Sequence, residues 1–135
     1  MSRVSILDAS AALARLQQER GQERVEAALD EGPCLMTTVN TCEVLGKLRE
    51  RGMPIEDAQA VVDDLGLTVV DFDAELARLA AAMRVRTKPI GASLGDRACL
   101  ALAERVSRGG AVADVLTAER AWARLKWPFK VVAIR

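Results

Sequence analysis

Short apolar runs of strand length recur along the chain, each separated from the next by Ala- and Leu-rich segments bearing helical signals. This alternation constrains the fold more than any other feature. Runs at residues 4–7, 34–37, 67–70, 111–116 and 130–134 read as strands, the third rich in β-branched residues. Helices are expected at about 9–17, 22–31, 40–51, 54–65, 73–85 and 93–107, with a short one at 119–125. Gly32-Pro33, Gly52, Gly66 and Gly109-Gly110 punctuate them. Strands alternating with helices imply an α/β fold with right-handed crossovers. The expected architecture is a three-layer α/β/α sandwich around a central parallel sheet of four to five strands. The length favours one domain, residues 1–135.

In such open sheets, sites form at the carboxyl ends of the strands. Asp8 follows the first strand immediately. Glu43 is expected in the first turn of the helix after the second strand, and Asp96 in the first turn of the long helix before the fourth. Glu119 comes three residues after Leu116. If strands one, two and four are neighbours, these four carboxylates converge. Each acid alone has a simpler explanation as a helix cap. Asp8 can be an N-cap, and Asn40-x-x-Glu43 and Ser93-x-x-Asp96 have the form of capping boxes. Thr117 can cap the last helix, leaving Glu119 in its first turn. Only the grouping would make a site.

Composition narrows the chemistry. The chain has no histidine, which excludes Ser-His-Asp and Cys-His nucleophile systems and His-ligated zinc. Its three cysteines, Cys34, Cys42 and Cys99, include no Cys-x-x-Cys pair, which argues against disulfide and zinc frameworks. A reducing cytoplasm is the expected setting, with all three as small buried side chains. No apolar run approaches the ~20 residues that span a bilayer, so no membrane association is expected. Asp8 interrupts the first apolar run too early for a signal peptide. Grouped carboxylates repel one another, and a dication relieves that repulsion. Hard oxygen donors without His or Cys suit Mg²⁺ or Mn²⁺, ions that activate water for phosphodiester hydrolysis.

Charge is unevenly spread. Residues 1–83 hold 8 basic and 15 acidic side chains, and residues 84–135 hold 11 and 4. The basic half can contact phosphates or can simply be a set of solvated helix faces. Arg84, Arg86 and Lys88 form a basic stretch, while Arg97 and Arg120 each follow one of the acids. All five are candidate RNA contacts, with a solvated or ion-paired arginine as the alternative. Trp122 and Trp127 can stack on bases or fill the core. The apolar residues of the 43–65 segment either pack on the sheet or form a groove for a partner's helix.

The residues around the four acids are familiar. Leu7-Asp8-Ala9-Ser10 resembles the D-x-S opening of PIN-domain ribonucleases, and Val39-Asn40-Thr41-Cys42-Glu43-Val44 resembles their second motif. Ser93-Leu94-Gly95-Asp96-Arg97-Ala98 is similar to the third. Leu116-Thr117-Ala118-Glu119-Arg120-Ala121-Trp122 resembles the fourth, with Glu119 where Asp is usual. The ordered set spans almost the whole chain and is most similar to the VapC type of toxin from bacterial toxin–antitoxin pairs. The resemblance implies a metal-dependent endoribonuclease, a homodimer, and inhibition by a cognate antitoxin protein. It implies that Asp8, Glu43, Asp96 and Glu119 bind Mg²⁺ directly or through water, Asp8 and Asp96 most firmly. Ser10, Asn40 and Thr117 would support them by hydrogen bonds.

Two other readings compete. One is a PIN-like binding module without catalysis, which the Glu119 departure keeps open. The other is a phosphoacceptor receiver domain, in which Asp71 or Asp73 would take the phosphate and Thr117 would sense it.

Overall fold

The computed structural model describes residues 2–135. Its strands are β1 (Arg3–Leu7), β2 (Cys34–Thr37), β3 (Thr68–Val70), β4 (Val112–Thr117) and β5 (Lys130–Ala133). Its helices are α1 (Ala9–Leu16), α2 (Gln22–Glu31), α3 (Thr38–Glu50), α4 (Ile55–Asp63), α5 (Ala74–Ala82), α6 (Arg84–Thr87) and α7 (Leu94–Arg108). The sheet is parallel throughout, in the order β3-β2-β1-β4-β5. β1 therefore lies between β2 and β4, the arrangement that the convergence of the acids requires.

Strand alternation divides the core between the two faces. Ile6 and Val115 pack with Leu76, Leu100, Leu102 and Trp122, under α5 and α7. Their neighbours Leu7 and Leu116 point the other way, onto Ala11, Ala14 and Val25 of α1 and α2. Met36 packs with Val44, Leu48, Ala58 and Val62 of α3 and α4. The apolar side chains of the 43–65 segment thus mainly pack inward. Ile55 is an exception, at 47% exposure.

Several local expectations change. α3 starts at Thr38 rather than at residue 40, because the Thr37 hydroxyl caps it by accepting from the Asn40 N–H. Asn40 and Glu43 therefore do not form a capping box, and Glu43 lies in the second turn. The helix expected to reach residue 85 ends at Ala82. A short α6 follows, and it gives way to a 3-10 turn at Lys88–Ile90, where Pro89 has no N–H with which to continue the helix. The segment after β4 is a 3-10 turn, Arg120–Arg124, and Thr117 does not serve as its N-cap. Cys34 and Cys99 are buried as expected, but Cys42 is exposed. It lies on the outer side of α3, beside a shallow apolar depression of about 390 Å³ with Leu45 and Ile55. Among the described residues, no helix is long and apolar enough to cross a membrane.

Candidate metal centre

The site is built on a register coincidence. Leu7 pairs with Leu116, so the residues that follow them, Asp8 and Thr117, emerge side by side at the carboxyl ends of β1 and β4. The Thr117 hydroxyl donates to Asp8 Oδ2 at 2.7 Å. Asp8 is also the N-cap of α1, its Oδ1 accepting from the Ala11 N–H at 2.9 Å and from the Ser10 hydroxyl at 2.7 Å. Ser10 Oγ in turn accepts from the Ala118 N–H, and Thr117 Oγ1 from the Glu119 N–H. Ser10 and Thr117 therefore tie the start of α1 to the end of β4 and orient one carboxylate between them.

That carboxylate is only 3% exposed and forms no ion pair among the described residues. Burial raises its pKa from 3.8 to about 6, against the lowering effect of its three hydrogen bonds, and the charge of Asp96 adds to the rise.

Glu43 and Asp96 approach from α3 and α7. Asn40 couples the two helices: its side-chain amide donates to Glu43 Oε1 and to the Gly95 carbonyl, both at 3.0 Å. Its own carbonyl oxygen accepts from the Thr37 hydroxyl at 2.7 Å. Glu43 lies directly over Gly95, where a Cβ would sit 2.5 Å from the Glu43 carboxyl carbon. The absence of a side chain at residue 95 is what admits Glu43. Asp96 forms the expected capping box with Ser93, accepting from its N–H at 2.9 Å while the Ser93 hydroxyl accepts from the Asp96 N–H. Beneath these acids is the wholly buried Cys99. Burial pushes its thiol well up, and the charges of Asp8, Asp96 and Glu43 push it further.

Glu119 is not brought in to the same degree. It is exposed at the start of the 3-10 turn, and its carboxylate makes no hydrogen bond among the described residues. Asp114, a conceivable substitute, is mid-strand and paired to Arg3.

The candidate RNA contacts separate as well. Arg86 lies over the Trp127 ring at 4.4 Å, and Trp127 also stacks on Phe129. Trp122 is core, at 1% exposure. Arg120 Nε donates to the Arg135 carbonyl. Arg84 and Lys88 are exposed. Arg97 is not a surface arginine, and among the described residues it forms no ion pair; it is buried, with Nη1 donating to the Ala80 carbonyl at 3.0 Å.

The receiver-type reading finds no support. β3 is an edge strand, Asp73 caps α5 and is paired to Arg105, and Thr117 is committed to Asp8.

Among the described residues, no three acidic or cysteine side chains close into a metal-binding group. The donor set still fits a small hard dication. Mg²⁺ keeps several waters and is commonly held by one or two carboxylates, so a closed cage is not required. Asp8 and Asp96, with Glu43 beside them, provide such a set. Gly95 and Asn40 are the features that sequence reasoning underused. A glycine in the first turn of a helix otherwise rich in Ala and Leu is a signal of close approach.

The Asn40 bridge yields a stability prediction. Asn40→Ala leaves the Thr37 hydroxyl and the Gly95 carbonyl short of a partner, so a loss of about 1–3 kcal/mol is expected in urea unfolding. A variant with wild-type stability would mean that water replaces the amide without cost.

The PIN domain family model matches residues 5–127. No curated protein sequence matches the chain. Solved structures are similar in fold. A VapBC2 complex from Rickettsia felis, bound to a promoter DNA fragment, contains a chain with a TM-score of 0.70 and 12% identity, covering 96% of this chain and 97% of its own. A DNA-bound VapBC from Salmonella typhimurium gives 0.66 at 17% identity, with 98% of both chains covered. A toxin–antitoxin complex from Klebsiella pneumoniae gives 0.67 at 16%, covering 93% of this chain and 98% of its own.

Proposed function

The chain belongs to the PIN domain family, and from that membership we propose that it is a Mg²⁺- or Mn²⁺-dependent endoribonuclease, the toxin of a VapC-type toxin–antitoxin pair. One observation carries the reading. Asp8 is a buried carboxylate that forms no ion pair among the described residues; burial pushes its pKa to about 6, and the charge of Asp96 adds to the rise. A fold retains so unfavourable a charge where a dication comes to meet it. The similarity in fold to chains of VapBC complexes supports an antitoxin partner.

In this proposal Asp8 and Asp96 hold the ion, and Glu43 joins them directly or through water. Glu119, exposed at the start of the 3-10 turn, is the outermost member of the set. Bound there, the ion supplies the Lewis acidity that phosphodiester hydrolysis needs. Ser10 and Thr117 keep Asp8 aimed into the cleft, and Asn40 holds Glu43 over Gly95. The working unit is a homodimer acting in the cytoplasm, made of a single domain spanning residues 1–135.

The test is cleavage of total cellular RNA by antitoxin-free protein, with Mg²⁺, with Mn²⁺ and with chelator. Metal-dependent cutting is expected; its absence for every RNA class tried would sink the proposal. The exposed Glu119, whose carboxylate makes no hydrogen bond among the described residues, favours a second reading, a binding module without catalysis. Calorimetry separates the two, since that module would take up neither ion at millimolar concentration.

Metal binding is also expected to depend on pH. The proton on Asp8 competes with the ion, so apparent affinity should fall roughly tenfold for each pH unit below about 6 and level off above it. Titrations at several pH values check this; a flat profile would remove Asp8 from the ligand set.

A further inference from the structure

A cavity of about 340 Å³ adjoins the first turn of α7, at the lower end of the ~300–1,000 Å³ range of small-ligand clefts. Arg84, Lys88 and Arg97 line it, with Gly91, Ser93 and Leu94, and no acidic residue does. Ser93 is the same residue whose backbone and hydroxyl are bonded to Asp96, and Arg97 follows Asp96 in α7, so the cavity shares a helix start with one of the candidate ligands.

Arg97 is the unusual member. It is only 9% exposed, and its Nε is buried without a partner. Among the described residues its one hydrogen bond is to the Ala80 carbonyl, and it forms no ion pair. A buried guanidinium without a counter-ion is costly, and two further cations on the same wall add repulsion. An anion entering the cavity would relieve both. A phosphate group suits this site because guanidinium and ammonium donors can engage its oxygens together.

We propose that the Arg84–Lys88–Arg97 cavity binds a backbone phosphate of the RNA neighbouring the one that is cut. The proposal rests on the ribonuclease reading. It also distinguishes among the cations of the basic half: Arg84, Lys88 and Arg97 grip the substrate, while Arg86 on Trp127 and Arg120 on the Arg135 carbonyl do not.

The experiment measures binding of a short fluorescent single-stranded RNA by anisotropy, in chelator, across a salt series. The proteins are the wild type, the double variant Arg84→Ala/Lys88→Ala and the single variant Arg97→Met. Arg84 and Lys88 are exposed, so the double variant should melt like the wild type. Neutralising one phosphate of a single strand contributes ~0.7 to the slope of log K against log salt, so the double variant should lose up to about 0.7 of that slope. Arg97→Met should also weaken RNA binding while melting at or above the wild-type temperature, because it removes an unpaired buried charge.

If both variants bind RNA with wild-type affinity and salt slope while the wild type still cleaves RNA, the subsite is overturned and the ribonuclease reading stands. If the wild type neither binds nor cleaves RNA, both fall. An oligoglutamate peptide run in parallel covers the other source of anions. Variant-sensitive binding of that peptide, with RNA binding unaffected, would overturn the proposal in favour of an acidic protein segment.

Discussion

Asp8→Asn is expected to abolish RNA cleavage and to make the metal-free protein more stable. A catalytic ion contributes several kcal/mol of transition-state stabilisation, so losing one of its principal ligands should cost at least about 100-fold in rate. The stability gain has a separate origin. The difference between an aspartate at 3.8 and one at about 6 corresponds to ~3 kcal/mol of disfavoured charge in the folded state. Asparagine removes that charge and keeps the shape. Its Oδ1 still accepts from Ala11 and Ser10, and its amide can donate to Thr117 Oγ1 in place of the hydroxyl's own donation.

A gain of about 1–3 kcal/mol is therefore expected near neutral pH, which for a chain of this size is a rise of several degrees in Tm. The pH dependence follows from a folded-state pKa that lies above the unfolded one. Between 3.8 and about 6 the folded wild type binds more protons than the unfolded chain, so its stability falls as pH rises through that window. The advantage of the variant should be full above pH 6 and vanish towards pH 4. Added Mg²⁺ should raise the wild-type Tm and leave the variant unmoved. A variant that melts below the wild type at pH 7.5 would show that the carboxylate is structural.

The second large effect is expected from a residue with no functional group. Gly95→Ala places a methyl 2.5 Å from the Glu43 carboxyl carbon, and something must give. The Glu43 carboxylate is the end of a flexible side chain, so it moves and breaks its bond to Asn40. The strain is partly offset by the gain of about 1 kcal/mol for alanine over glycine in a helix. Stability should therefore change little, while activity falls about 10–100-fold, as when a group supporting a metal site is lost. If displacement of Glu43 is the cause, Gly95→Ala and Glu43→Ala should not add. Full activity in Gly95→Ala would exclude Glu43 from the site.

Asp8 and the Ser93–Asp96 pair could be identified from sequence because their signals are local. Each is an N-cap within four residues of the N–H it accepts from, just beyond an apolar run or a glycine. The boundaries of α2 and β2 were equally readable. Capping logic misassigned the start of α3, because Asn40 and Thr37 are both plausible caps and only the path of the chain out of β2 selects between them. The burial of Arg97 is not legible for a related reason: nothing within one helical turn indicates that α5 packs over its side chain.

The chain's alternating pattern determined an α/β fold and placed four carboxylates near expected helix starts, and the lack of histidine excluded histidine chemistry. Tertiary structure alone decided that β1 lies between β2 and β4. That order joins Asp8 to Thr117, 109 residues away, and Asn40 to Gly95, 55 residues away. It also leaves Glu119 exposed at the start of the 3-10 turn and buries Arg97 next to Asp96 in the chain. Periodicity and caps report on neighbours along the chain, whereas a site depends on which strands share a register and which helices share a face. Those contacts are set by packing the whole core at once.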